Sequence, residues 1–189
     1  DVFGWFTRIS DAAFNLRKAT DSEIELAFKR LFRLCEITWS ITGISKRSGN
    51  NRFFPKRLVT CIRQNVVHCI DVDTFHEIKA RFDHLLCMED FDVLLHFLRH
   101  GYSNAVITNF AWDTKNVLEG GCSLYRDNDV QTYTAHKLAK LHKGFVRIVE
   151  KSTKSAWRGL ENEKGDKEQK RTDVIVYWKK AYRSSRESE

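Results

Sequence analysis

Residues 127–158, DNDVQTYTAHKLAKLHKGFVRIVEKSTKSAWR, decide how this chain reads. Asp127, Asn128 and Asp129 are short oxygen-bearing residues of the kind that caps the free N–H groups of a starting helix. After them Val130, Leu138, Leu141, Phe145, Ile148, Val149 and Ala156 fall on one side of a helical period. Lys137, Lys140, Lys143, Arg147, Lys151, Lys154 and Arg158 recur at steps of three and four, which places them together on another side. The pattern predicts one long helix over roughly 130–158 that buries an apolar stripe and shows a row of cations. Glu150 is the one acid in 137–158, whereas ordinary exposed helices interleave the signs for i, i+4 pairing.

The preceding segments read as further helices. Residues 2–17 carry Phe3, Phe6, Ile9, Ala13 and Leu16 at helical spacing. Thr20-Asp21-Ser22-Glu23 fits a capping box, and Gly43 is a natural stop for the helix after it. Residues 44–55 form a loop, and Pro55 opens a helix that runs to about Cys69. Asp73 or Thr74 starts the next helix, with Phe75, Ile78, Phe82, Leu85 and Leu86 on its inner face. Glu89-Asp90 opens another, which Gly101 stops. The period then changes to that of strands at 105–110 and 122–125.

The expected fold is therefore mainly α: a single helical domain over 1–160, six to seven helices with a small two-stranded hairpin near 104–126 in a winged-helix-like arrangement. A charged linker follows at 161–171, and then a C-terminal helix or strand at 172–189, helix being favoured by the spacing of Val174, Tyr177, Trp178 and Ala181. One Pro and nine Gly in 189 residues agree with long helices, and thirteen Phe with five Trp supply a core that disordered chains lack.

The net charge of +7 is clustered. Residues 37–70 hold Lys46, Arg47, Arg52, Lys56, Arg57 and Arg63 with no acid, and 137–158 hold seven cations against Glu150. Between them 71–136 hold eleven acids and five bases. Clustering of this kind makes a local positive potential that the average hides. In the first basic segment Phe53 and Phe54 are flanked by cations, a pattern that stacks on unpaired bases while the cations hold phosphates.

These features point to a non-enzymatic nucleic-acid-binding domain, with RNA or single-stranded DNA favoured. Its phosphate contacts are Lys46, Arg47, Arg52, Lys56, Arg57, Arg63, Lys137, Lys140, Lys143, Arg147, Lys151, Lys154 and Arg158, and Phe53 and Phe54 are its stacking residues. Two other readings fit the same residues. The basic face meets an acidic protein, or the acidic middle of another copy, in an assembly module. Alternatively, Asp71, Asp73, Asp83, Asp90 and Asp92 supply the metal-binding carboxylates of a nuclease, although they are better explained as helix caps and first-turn acids.

No nucleotide-binding, nucleophile-elbow or zincin motif is present, so no catalytic residue and no cofactor is assigned. His96 and His100 stand four apart, and His84 and Cys87 three apart, spacings that let side chains share zinc. The spacings of known zinc families are missing, so surface histidines near a helix end are the preferred reading and no metal is assigned. Five cysteines without a C-x-x-C pair read as buried reduced thiols, which suggests the nucleus or cytoplasm, of a host cell if the chain is viral. No membrane-spanning run is visible, and the N-terminus resembles no signal peptide. It lacks an initiator Met, as a fragment or a processed chain would.

Overall fold

The computed structural model describes residues 3–64, 66–114, 127–153 and 169–186. Its centre is a six-stranded mixed sheet, so the fold is mixed α/β and not mainly α. The strands are β1 (Phe3–Arg8), β2 (Leu16–Lys18), β3 (Ile41–Lys46), β4 (Leu58–Thr60), β5 (His68–Ile70) and β6 (Asn104–Thr114). Strand β6 is the spine. One edge pairs antiparallel with β1 and β4, the other parallel with β3, and β2 and β5 lie outermost. Ala105, Val106, Ile107, Phe110, Ala111 and Trp112 of β6 are all buried, as a strand covered on both faces requires.

The helices are α1 (Asp21–Ile37), α2 (Arg47–Asn50), α3 (Val72–Glu77), α4 (Glu89–Arg99), α5 (Asn128–Leu141) and α6 (Trp178–Arg186). Successive side chains of a strand face opposite ways. Ile44 accordingly joins Ala27 and Leu31 of α1 in one core. Ile41 joins a larger core with Leu94, Leu95 and Leu98 of α4, Leu138 of α5 and Ala181 of α6. A two-stranded ribbon, β7 (Val146–Thr153) with β8 (Gln169–Val176), lies against α5.

Several expected elements form as read. The capping box starts α1: Thr20 Oγ1 accepts from the Glu23 N–H, and the Glu23 carboxylate accepts from the Thr20 N–H at 2.9 Å. Asp127 caps α5 by accepting from the Val130 N–H at 2.8 Å. Helix α4 runs from Glu89 to Arg99 just before Gly101.

Others do not. Residues 2–17, read as a helix, hold β1 and β2, and the Arg8 guanidinium donates to the carbonyls of Ala13 and Phe14 in the turn between them. Gly43 is no helix stop; it lies inside β3, where an added Cβ would stand 2.8 Å from Gln64 Cγ. The helix expected from Pro55 to Cys69 is replaced by β4 and β5. The wing-like hairpin is not formed by β6, which pairs with β1, β3 and β4; its expected partner at 122–125 lies outside the described residues.

The long helix is the largest correction. Helix α5 ends at Leu141, Gly144 adopts a φ of +87°, and the chain turns into β7. The β-branched residues of Val146-Arg-Ile-Val meet those of Val174-Ile-Val in register, Val146 opposite Val176 and Ile148 opposite Val174. Residues 173–183 are both of the alternatives read for them, the end of β8 followed by α6. Gln169–Arg171, assigned to the charged linker, open β8.

A bulge shapes the region that follows β3. Pairing of β3 with β6 jumps from Ile44–Ile107 to Ser45–Ala111, leaving 108–110 of β6 without ladder partners on β3. Buried Asn50 fills the gap: its Nδ2 donates to the carbonyls of Thr108 at 2.7 Å and Phe110 at 3.1 Å, and its Oδ1 accepts from Arg8 at 3.1 Å. This plug anchors the 47–57 segment, which carries four of the six cations of the first basic cluster. Among the described residues, no helix is long and apolar enough to cross a membrane.

Candidate nucleic-acid interface

The six cations of 46–63 are only partly free. Arg47 lies 4.1 Å from the Phe6 ring and 3.5 Å from Asp113, and Arg57 pairs with Asp11. Arg63 lies 4.3 Å from the Phe91 ring and 3.7 Å from Asp90. Lys46 sits over Trp112, while Arg52 and Lys56 are exposed. Phe54 is half-buried between Phe14, ring to ring at 5.9 Å, and the Arg8 guanidinium at 5.0 Å. Phe53 is also half-buried but lines a cleft.

The second cluster does not form a helical row. Lys137 and Lys140 lie on α5, Lys143 in the turn after it, and Arg147 and Lys151 on β7. Lys154 and Arg158 lie outside the described residues. Arg147 and Lys151 share a face of the ribbon because they are four apart on a strand. Lys151 spends its charge on Asp173, at 2.9 Å.

Tertiary structure brings a different set together. A cleft of about 250 Å³ is lined by Lys46, Arg52, Phe53, Ile62 and Arg63 among others. A second, of about 690 Å³, shares Ile62 and is lined by Cys61, Tyr177, Trp178, Lys179, Lys180 and Arg183. Among the described residues these two linings hold six cations, three aromatics and no carboxylate. The cations are close enough to be felt inside: burial pushes the Cys61 thiol up, and a hydrogen bond with Thr60, then Lys179 and Arg183, pull it part of the way back. Trp178 is held edge-on to Phe91, with ring centroids 5.5 Å apart, and Lys180 donates to the Gly144 carbonyl at 3.1 Å. A third cleft, of about 440 Å³, shares Arg63 but is mixed in charge, with Glu89, Asp90, Arg171 and Asp173.

Lys179, Lys180 and Arg183 escape a sequence reading by blocks, because the acids of 161–168 cancel them. The signal is visible when charge is counted over 178–186 alone: four cations and no acid.

A separate constellation surrounds Asp92. Asp92 lies in the first turn of α4, as read, but its carboxylate is fully buried. Oδ1 accepts from His142 Nε2 at 2.6 Å and Oδ2 from His84 Nδ1 at 2.9 Å, while His96 Nε2 stands 3.7 Å from Oδ1. Arg99 Nη1 donates to His142 Nδ1 at 3.2 Å, so His142 carries its proton on Nε2. Burial pushes the Asp92 carboxyl up, but the hydrogen bonds from His142 and His84 outweigh it and leave it below its ordinary value. Burial lowers His96 despite the neighbouring carboxylate. His84 and His96 are half-buried, so the expectation of surface histidines fails for these two, while His100 is exposed as expected; His142 is fully buried. Cys87 faces elsewhere, 3.9 Å from Gln131 Oε1. Cys61 and Cys87 are buried thiols, Cys35 and Cys69 half-buried ones, and Cys122 lies outside the described residues.

Comparison with protein-family models, curated proteins and solved structures returns no match.

Proposed function

We propose that this chain is a nucleic-acid-binding domain that holds a phosphate backbone in the paired clefts around Ile62, in a binding role without chemistry of its own. The observation that supports this most is the lining of those clefts, which holds Lys46, Arg52, Arg63, Lys179, Lys180 and Arg183 and, among the described residues, no carboxylate; Arg63 alone of the six leans on an acid outside the lining, Asp90 at 3.7 Å. Binding there gains from counterion release, and the concave site concentrates the field of the cations. Phe53, Tyr177 and Trp178 offer ring faces or edges beside them, which favours the unpaired bases of RNA or single-stranded DNA over a duplex. Lys56, Lys137, Lys140, Lys143 and Arg147 extend the positive surface and act as secondary contacts. Arg47, Arg57 and Lys151, already paired with acids, contribute less. A reducing compartment, nucleus or cytoplasm, accords with this role.

Fluorescence anisotropy against single- and double-stranded RNA and DNA, with light scattering of the free protein, tests the reading. Salt-sensitive binding with single strands preferred supports it. Oligomers that ignore every oligonucleotide would instead favour an assembly module directed at an acidic partner. Cleavage that depends on a divalent metal would favour a nuclease.

A further inference from the structure

We propose that His84, Asp92 and His96 form a binding site for one divalent transition-metal ion of the zinc class. One ligand atom from each lies within 4.8 Å of the others. The three residues belong to two pieces of chain: His84 to the irregular segment between α3 and α4, and Asp92 and His96 to successive turns of α4.

His84 is hydrogen-bonded to the carboxylate, but the separation of His96 suits a shared metal better than a hydrogen bond. His96 Nε2 is 3.7 Å from Asp92 Oδ1, too long for a hydrogen bond, yet the ring is turned to the carboxylate. Two ligands each bound to zinc at about 2.1 Å stand roughly 3.4 Å apart at the tetrahedral angle. The His96 contact, 3.7 Å to Oδ1, and the His84 contact, 2.9 Å to Oδ2, bracket that spacing, so a carboxylate that turns both oxygens to the metal needs only small shifts of the two rings. To become a ligand through Nδ1, the neutral His84 ring takes the tautomer that carries its proton on Nε2.

The outer contacts are those of a supported metal ligand. A coordinating carboxylate is normally held by a further hydrogen bond that orients it. Here His142 Nε2 holds Asp92 Oδ1 at 2.6 Å, and Arg99 holds His142 in turn. This chain of contacts is buried at Asp92 and His142, whereas His84 and His96 reach partial exposure. The metal would enter from the solvent side and keep water in its fourth position. Its effect on the fold is to clamp the segment ahead of Met88 onto α4.

The test uses tag-free full chain with cobalt(II) as a spectroscopic stand-in for zinc. The expected result is one cobalt per chain, visible absorption bands of a four- or five-coordinate site, displacement of cobalt by zinc, and a melting temperature raised by zinc. His84→Gln and His96→Gln should each weaken cobalt binding at least about tenfold and remove the zinc-dependent rise in melting temperature, while His136→Gln, an exposed position on α5, leaves both intact. These two histidine variants leave the buried Asp92–His142 bond in place, so they fold without the metal. Wild-type protein that shows no cobalt bands, or bands that persist in the His84→Gln/His96→Gln double variant, would overturn the site.

Discussion

Neutralising Lys179, Lys180 and Arg183 together tests the proposed interface most sharply. All three are exposed on α6, and glutamine has nearly the same helix propensity, so Lys179→Gln/Lys180→Gln/Arg183→Gln leaves the helix intact. The one hydrogen bond lost, from Lys180 to the Gly144 carbonyl, is exposed and costs no more than about 1 kcal/mol. Each phosphate contact on a single strand adds about −0.7 to the slope of log K against log salt. Five cations of the lining and a partly engaged Arg63 therefore give a slope of about −4, and the variant about −2. At about 0.1 M salt each contact is worth roughly fivefold, so the three together cost about a hundredfold in affinity, close to 3 kcal/mol. Anisotropy titrations at four salt concentrations measure both quantities, with circular dichroism as the check on folding. A folded variant with the wild-type slope refutes the argument. So does a larger loss from Lys137→Gln/Lys140→Gln/Arg147→Gln, which would return the interface to α5 and β7.

Three other outcomes follow from local geometry. Asn50→Ala leaves the carbonyls of Thr108 and Phe110 and the Arg8 guanidinium short of a partner in the β6 bulge; stability should fall by roughly 3 kcal/mol in urea denaturation, and a loss below about 1 kcal/mol would mean that water replaces the plug. Glu23 is held down from 4.5 to about 2, chiefly by the Arg17 hydrogen bond and then by the Thr20 N–H. Because the folded value is the lower one, its contribution is present above pH 4.5 and fades as pH falls toward 2, so the urea-midpoint difference between wild type and Glu23→Gln should shrink across that window. The Cys35 thiol, pushed up to about 12 by burial and then by its contact with Cys69, should alkylate about a thousandfold more slowly at pH 8 than an ordinary thiol. Rapid modification of Cys35, read by peptide mass spectrometry, would show that the packing of α1 on β5 opens.

Legibility in the sequence followed the range of the interactions involved. The capping box at Thr20, the Asp127 cap and the acidic first turn of α4 are contacts over three or four residues, and all were readable. The bounds of β6 were partly readable, because a buried strand leaves an apolar run whatever its neighbours. The failures are strands whose partners are remote. Phe3, Phe6 and Ile9 fit a helical period as well as they fit β1, and only pairing of Phe6 with Ala111 settles the matter. Ile41 meets Asn104, and Val146 meets Val176. Gly144 followed by a β-branched run was the overlooked local warning in the supposed long helix.

The site divides in the same way. Lys46, Arg52, Arg63 and Phe53 were recognisable from an acid-free stretch, since clustering of charge in sequence survives folding over short distances. That Lys179 and Arg183 would face Cys61 was not, nor that His142 would bond Asp92 across fifty residues of chain. Composition and short-range pattern determined which segments carry positive charge, where three helices begin and which residues are apolar enough to be buried. Tertiary structure alone decided which cations share a cleft and which histidines share a carboxylate, because β-pairing and core packing choose among remote partners by the total burial and hydrogen bonding they achieve, a quantity no local window contains.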